Sequence, residues 1–378
     1  MGNVENNGTH FHLDAVQDIG GFSVTNVEKD HYFWVLTRTT ITSEHPEFHK
    51  YIEQLSNPIF NKVGIFPDAV YQFLIIIHQD LSADLFINDF PVDVEMMAKR
   101  DINKGEIITD RDIADIRRLR FPNVKIVKTD KVIYCFKKRW RFGLFFDLSR
   151  ELDVDAMSLA LGTLCRSLSF PYVYGDLEKE PQFEEMIKDG WFPFIEIVGS
   201  EYKSLSDAYQ NKFHFEDAID KIVGNFDKER IEKIITKWWR KPVFNDKKKI
   251  LQAGINAFLS GKDEGYINCL KNLLSEIGGI INLQYFIDTG KGKASFPQLS
   301  NYITEKGKAK AGSVSSLLLP LPFLRYLNDV VFSNFDLESG KINPSRHSSS
   351  HGVAKAESYT RIKALQAILV LDQIYFYI

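Results

Sequence analysis

Three cysteines in 378 residues, Cys135, Cys165 and Cys269, stand far apart with no paired spacing. That excludes a disulfide framework and a zinc-ligand pattern and fits a reducing compartment. No apolar run nears the ~20 residues that a membrane-spanning helix needs; Leu74 to Ile77 and Leu317 to Phe323 are far too short. The start of the chain is polar, without an apolar signal core, and Gly2 lacks the Ser or Thr at position six that myristoylation prefers. A cytoplasmic protein with no membrane partner is expected. Neither standard Gly-rich phosphate loop is present. Charge of one sign is also lacking: the net charge is −3, so any nucleic-acid binding must come from a local patch.

What is present describes an ordinary folded protein, with 44% hydrophobic and 26% charged residues. The 29 Phe and 15 Tyr favour well-filled cores, and the length allows two or three domains. Residues 1–25 are Asn- and Gly-rich and read as a flexible N-terminus. Residues 26–150 read as a mixed α+β domain. β-Branched and aromatic runs place strands at Tyr32 to Ile41, Ala69 to His78, Leu85 to Asn88, Val124 to Val127, Val132 to Phe136 and Arg141 to Asp147. Phe48 to Leu55 and Asp110 to Leu119 look helical, the second opening on Thr109-x-x-Asp112, close to a capping box.

Residues 151–241 form a helical, connecting region. Asp155 to Leu168 is apolar at helical spacing, and Pro171 to Gly175 and Trp191 to Val198 interrupt it. Ser204 to Phe226 and Asp227 to Trp239 follow as two helices, and Pro242 marks a boundary. In residues 242–378, Asp246 to Ser260, Tyr266 to Phe286, Leu317 to Phe332 and Glu357 to Ile378 carry apolar residues at i, i+3, i+4. Thr289 to Ala294 and Lys306 to Ser313 read as linkers, and the whole as a helical bundle. The fold class is thus α+β, a mixed N-terminal region followed by an all-α C-terminal bundle.

Chemistry concentrates in Asn343-Pro-Ser-Arg346-His347-Ser-Ser-Ser-His351-Gly352, a Ser-rich turn before an amphipathic run from Ala354 to Ile378. Arg346 offers a permanent cationic fork matched to phosphate oxygens. His351 can take and give a proton near neutral pH. Together they could cleave a phosphodiester without metal. Spacing alone is weak in a chain with nine His: Arg38 and His45 form a decoy in a strand-like run. His347 could assist as a proton donor or face solvent. Asn343, Ser345 and Ser350 could contact phosphate, or serve as caps and turn formers. Glu276 could support the site from a neighbouring helix, or be simply exposed.

Other clusters read more plainly. Asp147, Glu151, Asp153 and Asp155 straddle a strand end and a helix start, where acids suit the helix dipole better than a hard metal. Lys237-Trp-Trp-Arg-Lys241 could meet nucleic acid, but at a helix end the tryptophans more readily dock between domains while the cations cap its carbonyls. Lys306-Gly-Lys-Ala-Lys310 is a local basic loop that could meet phosphates. His10 and His12 carry no reading.

Arg346, polar His347, then His351 after four intervening residues, with Gly352 next, resembles the signature of the HEPN superfamily of helical bundles. Leu273-Leu-Ser-Glu-Ile-Gly-Gly-Ile280 is similar to a helix of HEPN domains in bacterial defence proteins, and Ala364 to Gln373 to their closing helix. The resemblance covers residues 242–378. It implies a metal-independent endoribonuclease without cofactor, giving 2′,3′-cyclic phosphate ends at a composite site in a homodimer. His351 would be the base and Arg346 the phosphate clamp. It also implies a place among antiviral, abortive-infection or toxin proteins, with residues before 242 sensing a phage-derived or other trigger. Val353 stands two residues beyond His351 where some HEPN toxins carry a tyrosine that a partner nucleotidyltransferase modifies, so that control is not expected here. The alternative is a non-catalytic HEPN-like bundle for dimerisation or partner binding. A site in the N-terminal region stays open as a third reading.

Overall fold

Large apolar and aromatic runs at Gln72–Ile77, Lys131–Lys138 and Arg141–Asp147 pair as antiparallel strands and carry the first part of the fold. The computed structural model describes residues 8–14, 20–212, 214–334 and 344–378. In chain order the first elements are β1 (Thr9–His12), β2 (Phe22–Ser23), β3 (Val35–Leu36), β4 (Arg38–Thr42) and α1 (Phe48–Val63). Then come β5 (Gln72–Ile77), β6 (Ser82–Ile87), β7 (Asp93–Ala98) and β8 (Ile113–Arg120). β9 (Lys131–Lys138), β10 (Arg141–Asp147) and α2 (Val154–Ser169) complete this part. The architecture is α+β.

The chain divides into two units, residues 1–96 with 116–169, and residues 97–115 with 170–378. In the first, six strands run in the order β1-β6-β5-β9-β10-β4. Register places Ile75 opposite both Ile133 and Leu85, and Leu144 opposite Cys135. These residues share one face and pack against Phe48, Leu55, Ile59 and Phe60 of α1. The opposite face carries Gly143, which lies under Leu164 and Leu168 of α2. Both faces are covered, so Phe73 to Ile77 is buried without a break. A slip of one residue would exchange the two faces, which the cover on both sides forbids.

Several expectations are corrected. Asp110 to Leu119 is not a helix. The Thr109–Asp112 capping box exists but closes a single 3-10 turn. Ile113 is already extended, and β8 pairs with β7, a strand the sequence did not show. Tyr32 to Ile41 is strand only at β3 and β4, and Tyr32, Phe33 and Trp34 are exposed. Val124 to Val127 is irregular. The helix begun at Phe48 runs on to Val63 through Pro58. Of the N-terminal segment, residues 1–7 and 15–19 lie outside the described residues, while Thr9–His12 pairs with β6.

The second unit is helical. α3 (Pro171–Glu178), α4 (Glu180–Lys188), α5 (Ser200–Asn211), α6 (Phe215–Gly224), α7 (Lys228–Trp238) and α8 (Pro242–Asn245) come first. α9 (Lys248–Leu259), α10 (Asp263–Thr289), α11 (Phe296–Ala311), α12 (Pro320–Tyr326), α13 (Arg346–Ser350) and α14 (Arg361–Tyr377) follow, with a π turn at Leu327–Val331. Pro171 starts a helix rather than breaking one, because the first helical position needs no N–H donor. Ser204 to Phe226 is two helices, parted where Lys212 and His214 adopt left-handed φ. Lys306 to Ser313 is not a linker: its first six residues belong to α11, which a Ser295–Gln298 capping box starts, and Gly307 meets the Tyr377 ring.

The run from Ala354 is not amphipathic. α14 begins only at Arg361, capped by Thr360, and every residue from Ala364 to Ile374 is buried. A helix buried all round must satisfy its own polar side chains. Gln366 donates to Asp189 O, and Gln373 donates to Leu318 O while accepting from Ile195 N. Asp372 accepts from Trp238 Nε1 at 2.8 Å and from Lys237 Nζ at 3.0 Å, and Lys237 also reaches Glu196 at 2.7 Å. The Lys237–Lys241 segment therefore turns its first two residues inward, as core. Against burial, Asp372 and Glu196 hold the Lys237 ammonium above its ordinary pKa. Against its own burial, the Glu196 carboxyl is held below its ordinary pKa by Lys237, with Lys99 and Arg230, while burial pushes Asp372 up to about 7.

A carboxyl whose folded pKa lies above its unfolded value stabilises the fold at low pH and loses that contribution as pH rises between the two values. Wild type is therefore expected to lose stability relative to Asp372→Asn as pH rises from roughly 4 through 7, by about 4 kcal/mol, with a level difference above about pH 8. Urea midpoints of the two proteins across this range check it; a constant difference would show Asp372 to be charged throughout.

Candidate functional site

The Ser-rich turn folds as a helix of its own. Ser345 caps α13: its hydroxyl accepts from Ser348 N and donates to Ser333 O, while its own N–H donates to Ser348 Oγ at 2.8 Å. Buried Ser345 and Ser348 are thus structural, and Ser345 is a cap rather than a phosphate contact. His351 is the C-terminal cap residue, and Gly352 follows at φ 69, where the left-handed backbone lets Val353 N bond back to Ser348 O at 3.0 Å. The Gly after the His is explained by this stop. Tyr359 donates to Ser349 Oγ at 3.3 Å and ties down the far side of the turn.

Arg346 takes the first helical position. Its guanidinium lies over the Phe296 ring, 4.2 Å from the centroid. Its stem crosses α10 at Gly278, where an added Cβ would stand 3.2 Å from Nε. A Cβ there would require the arginine stem to give by a few tenths of an ångström. Nε is buried with no acceptor, and no carboxylate lies within ion-pair distance of Arg346 among the described residues. Burial lowers its pKa. Half-buried His347 meets the edge of the same Phe296 ring, centroids 5.4 Å apart. Burial first, then the neighbouring Arg346 and His351, lower the His347 pKa, so its imidazole is neutral at pH 7. His351 is exposed.

The structure thus brings Arg346, His347 and His351 to one short helix, with His347 within electrostatic reach of the other two. Ser350 is exposed beside them. Asn343 lies outside the described residues. Glu276 does not join the group: its Oε2 is 3.0 Å from Lys247 Nζ, though off the direction of a hydrogen bond. Gly278 and Phe296 were missed in the sequence. The Gly-Gly pair inside an otherwise apolar helix was the available signal for the first.

The remaining clusters are engaged elsewhere. Arg38 faces Asp147 at 3.7 Å, and His45 accepts from Glu47 N at 3.2 Å. Asp153 caps α2 through Ala156 N, and Asp155 bonds Arg118, so the acidic quartet is dispersed. Among the described residues no group of three His, Cys, Asp or Glu has metal-binding geometry. His10, given no reading, binds Asp84 at 2.8 Å. Asp84 also meets His78, whose other nitrogen meets Asp130 at 2.9 Å. Against burial, these two carboxylates hold His78 above its ordinary pKa, with both nitrogens occupied.

Removing the Arg346 charge should relieve part of the pressure on His347. In Arg346→Gln the His347 titration followed by NMR is expected to move upward from a midpoint below 6.5, with Ser345–Ser348 capping intact; an unmoved midpoint would separate the two side chains. No family model, no curated protein and no solved structure matches this chain, so its functional reading rests on this geometry and on the motif.

Proposed function

We propose that the chain is a metal-independent RNA endonuclease of HEPN type, with Arg346 and His351 as its catalytic pair and His347 assisting. One observation carries the reading: a half-buried guanidinium with no carboxylate within ion-pair distance among the described residues, next to His347, which lies within electrostatic reach of both Arg346 and His351. A cation left so is complementary to a phosphodiester, and its attraction strengthens as charge builds on the phosphorane oxygens.

In this mechanism His351 takes the proton of a ribose 2′-OH and the 2′ oxygen attacks the adjacent phosphorus. The P–O5′ bond breaks, and the leaving oxygen receives a proton from an imidazolium. His347, whose pKa is lowered, would supply that proton only after receiving the one that His351 took from the 2′-OH. The products are a 2′,3′-cyclic phosphate and a 5′-hydroxyl. Two copies of the chain would set two such turns about one phosphate. Exposed Phe286 and Ile287, on the helix that carries Gly278, support a pairing surface. In the setting the motif implies, the protein acts in the cytoplasm in anti-phage defence or stress. The first unit would sense the trigger, for which exposed Tyr32, Phe33 and Trp34 offer a contact surface.

A second reading has its own support: Arg346 stacked on Phe296 and wedged against Gly278 also suits a non-catalytic turn in a dimerisation or partner-binding bundle. Labelled RNA in EDTA separates the two. Wild type is expected to cut and leave cyclic phosphate ends. Arg346→Ala and His351→Ala should lose roughly 10²–10⁴-fold in rate, and Gly278→Ala should lose activity with little change in melting temperature. Equal cutting by wild type and both alanine variants would defeat the assignment. Cutting by none, with wild type a dimer by light scattering and growth unaffected on expression, would favour the scaffold.

A further inference from the structure

A cavity of about 700 Å³ opens in the second unit between the start of α5, the end of α6 and the start of α7, with Lys99 and Arg111 at its wall. That volume falls within the range of small-molecule sites. Most of its charges are already matched. Arg230 grips Glu201 through both nitrogens at 2.5 and 2.7 Å, Lys233 meets Glu229 at 2.7 Å, and Glu196 meets Lys237. Asp227 caps α7 through Arg230 N. Two cations are left over: neither Lys99 nor Arg111 has a carboxylate within ion-pair distance among the described residues.

Lys99 is the more telling of the two. Lys99 is half-buried, and burial, with Lys237 and Arg230 adding to it against Glu196 and Glu201, pulls its pKa down to about 8. A cation drawn out of water with no direct ion pair, and attracted by acids only at longer range, is costly, and a bound anion would offset that cost. The backbone points the same way. α5, twelve residues long, begins at Ser200 behind Gly199, which offers no side-chain oxygen to the Ser200 and Glu201 amides; Tyr202 N already bonds Ile197 O at 2.8 Å. An added Cβ at Gly199 or Gly224 would meet nothing within 4 Å, so the space before these amides is open. The wall holds no aromatic ring and no Leu, Ile or Val against which a nucleobase could stack. It holds Ser200 and Asn225 instead, suited to hydroxyl groups through the Ser200 hydroxyl and the Asn225 carbonyl oxygen, the Asn225 amide nitrogen donating to Glu201 at 3.1 Å.

We propose that this cavity binds a small phosphorylated polyol, a sugar phosphate, with the phosphate on Lys99, Arg111 and the first amides of α5 and the hydroxyls on Ser200 and Asn225. The site is independent of the Arg346–His351 turn and of the nuclease reading.

The test uses the full chain and ribose 5-phosphate as probe, followed by thermal melting and calorimetry. Saturating ribose 5-phosphate should raise the melting temperature by at least about 3 °C, and ribose should not. Lys99→Met and Arg111→Gln should each weaken binding at least about tenfold. Arg111 is exposed, so its variant tests binding without disturbing the fold. Lys99→Met, relieved of an uncompensated cation, should melt no lower than wild type without ligand. No shift at about 10 mM probe, or an equal shift in wild type and both variants, would overturn the site. Adenosine monophosphate binding more tightly than ribose 5-phosphate would overturn the ligand class.

Discussion

The second unit depends on how Asp372 is held. A helix surrounded on every side has nowhere to put a carboxylate except against partners brought to it, and here α7 brings two, Lys237 and Trp238. Losing one partner of such a group leaves a buried charge exposed to a low-dielectric interior, at about 3–5 kcal/mol. The same demand acts on Gln366 and Gln373, each matched to a main-chain group from a distant part of the unit. α14 is therefore placed by hydrogen-bond complementarity as well as by apolar burial. Packing alone would allow it to rotate; these polar matches do not.

Uncompensated cations stand out against that background of satisfied groups. Arg346 is oriented by Phe296 and Gly278, with its fork unmatched by any acid among the described residues. The turn that holds it is short, and its rigidity comes from reciprocal serine capping and the left-handed Gly352. A charged group fixed by neutral neighbours keeps its full attraction for an incoming anion, because no internal ion pair must first be broken. Lys99 follows the same logic in a different place, beside open helical amides rather than imidazoles.

Much of this was legible from residue patterns. The strand at Arg141–Asp147, the helix from Val154, the acidic start of α7 and the long α10 follow from local periodicity and capping chemistry. Local signals failed where long-range pairing competed with them. Thr109 and Asp112 do form their capping box, yet the next residue is claimed by pairing with β7. Lys306 to Lys310, rich in Gly and Lys, looks like a linker until Tyr377 is seen to need the glycine. α14 reads as amphipathic from its spacing, and that reading fails because its central polar side chains, Gln366, Asp372 and Gln373, are buried against partners that only the fold supplies.

By itself the sequence determined the α+β division, the reach of most helices and the placing of Arg346, His347 and His351 on one short segment, because five residues of chain cannot carry them far apart whatever the fold. Only the tertiary structure decided which of them is left unneutralised. It withheld Glu276 from Arg346, spent Ser345 on a cap, slid Gly278 beneath the guanidinium and set Lys99 beside α5. Charge compensation depends on residues distant in the chain, and no local pattern records which acid arrives or fails to arrive.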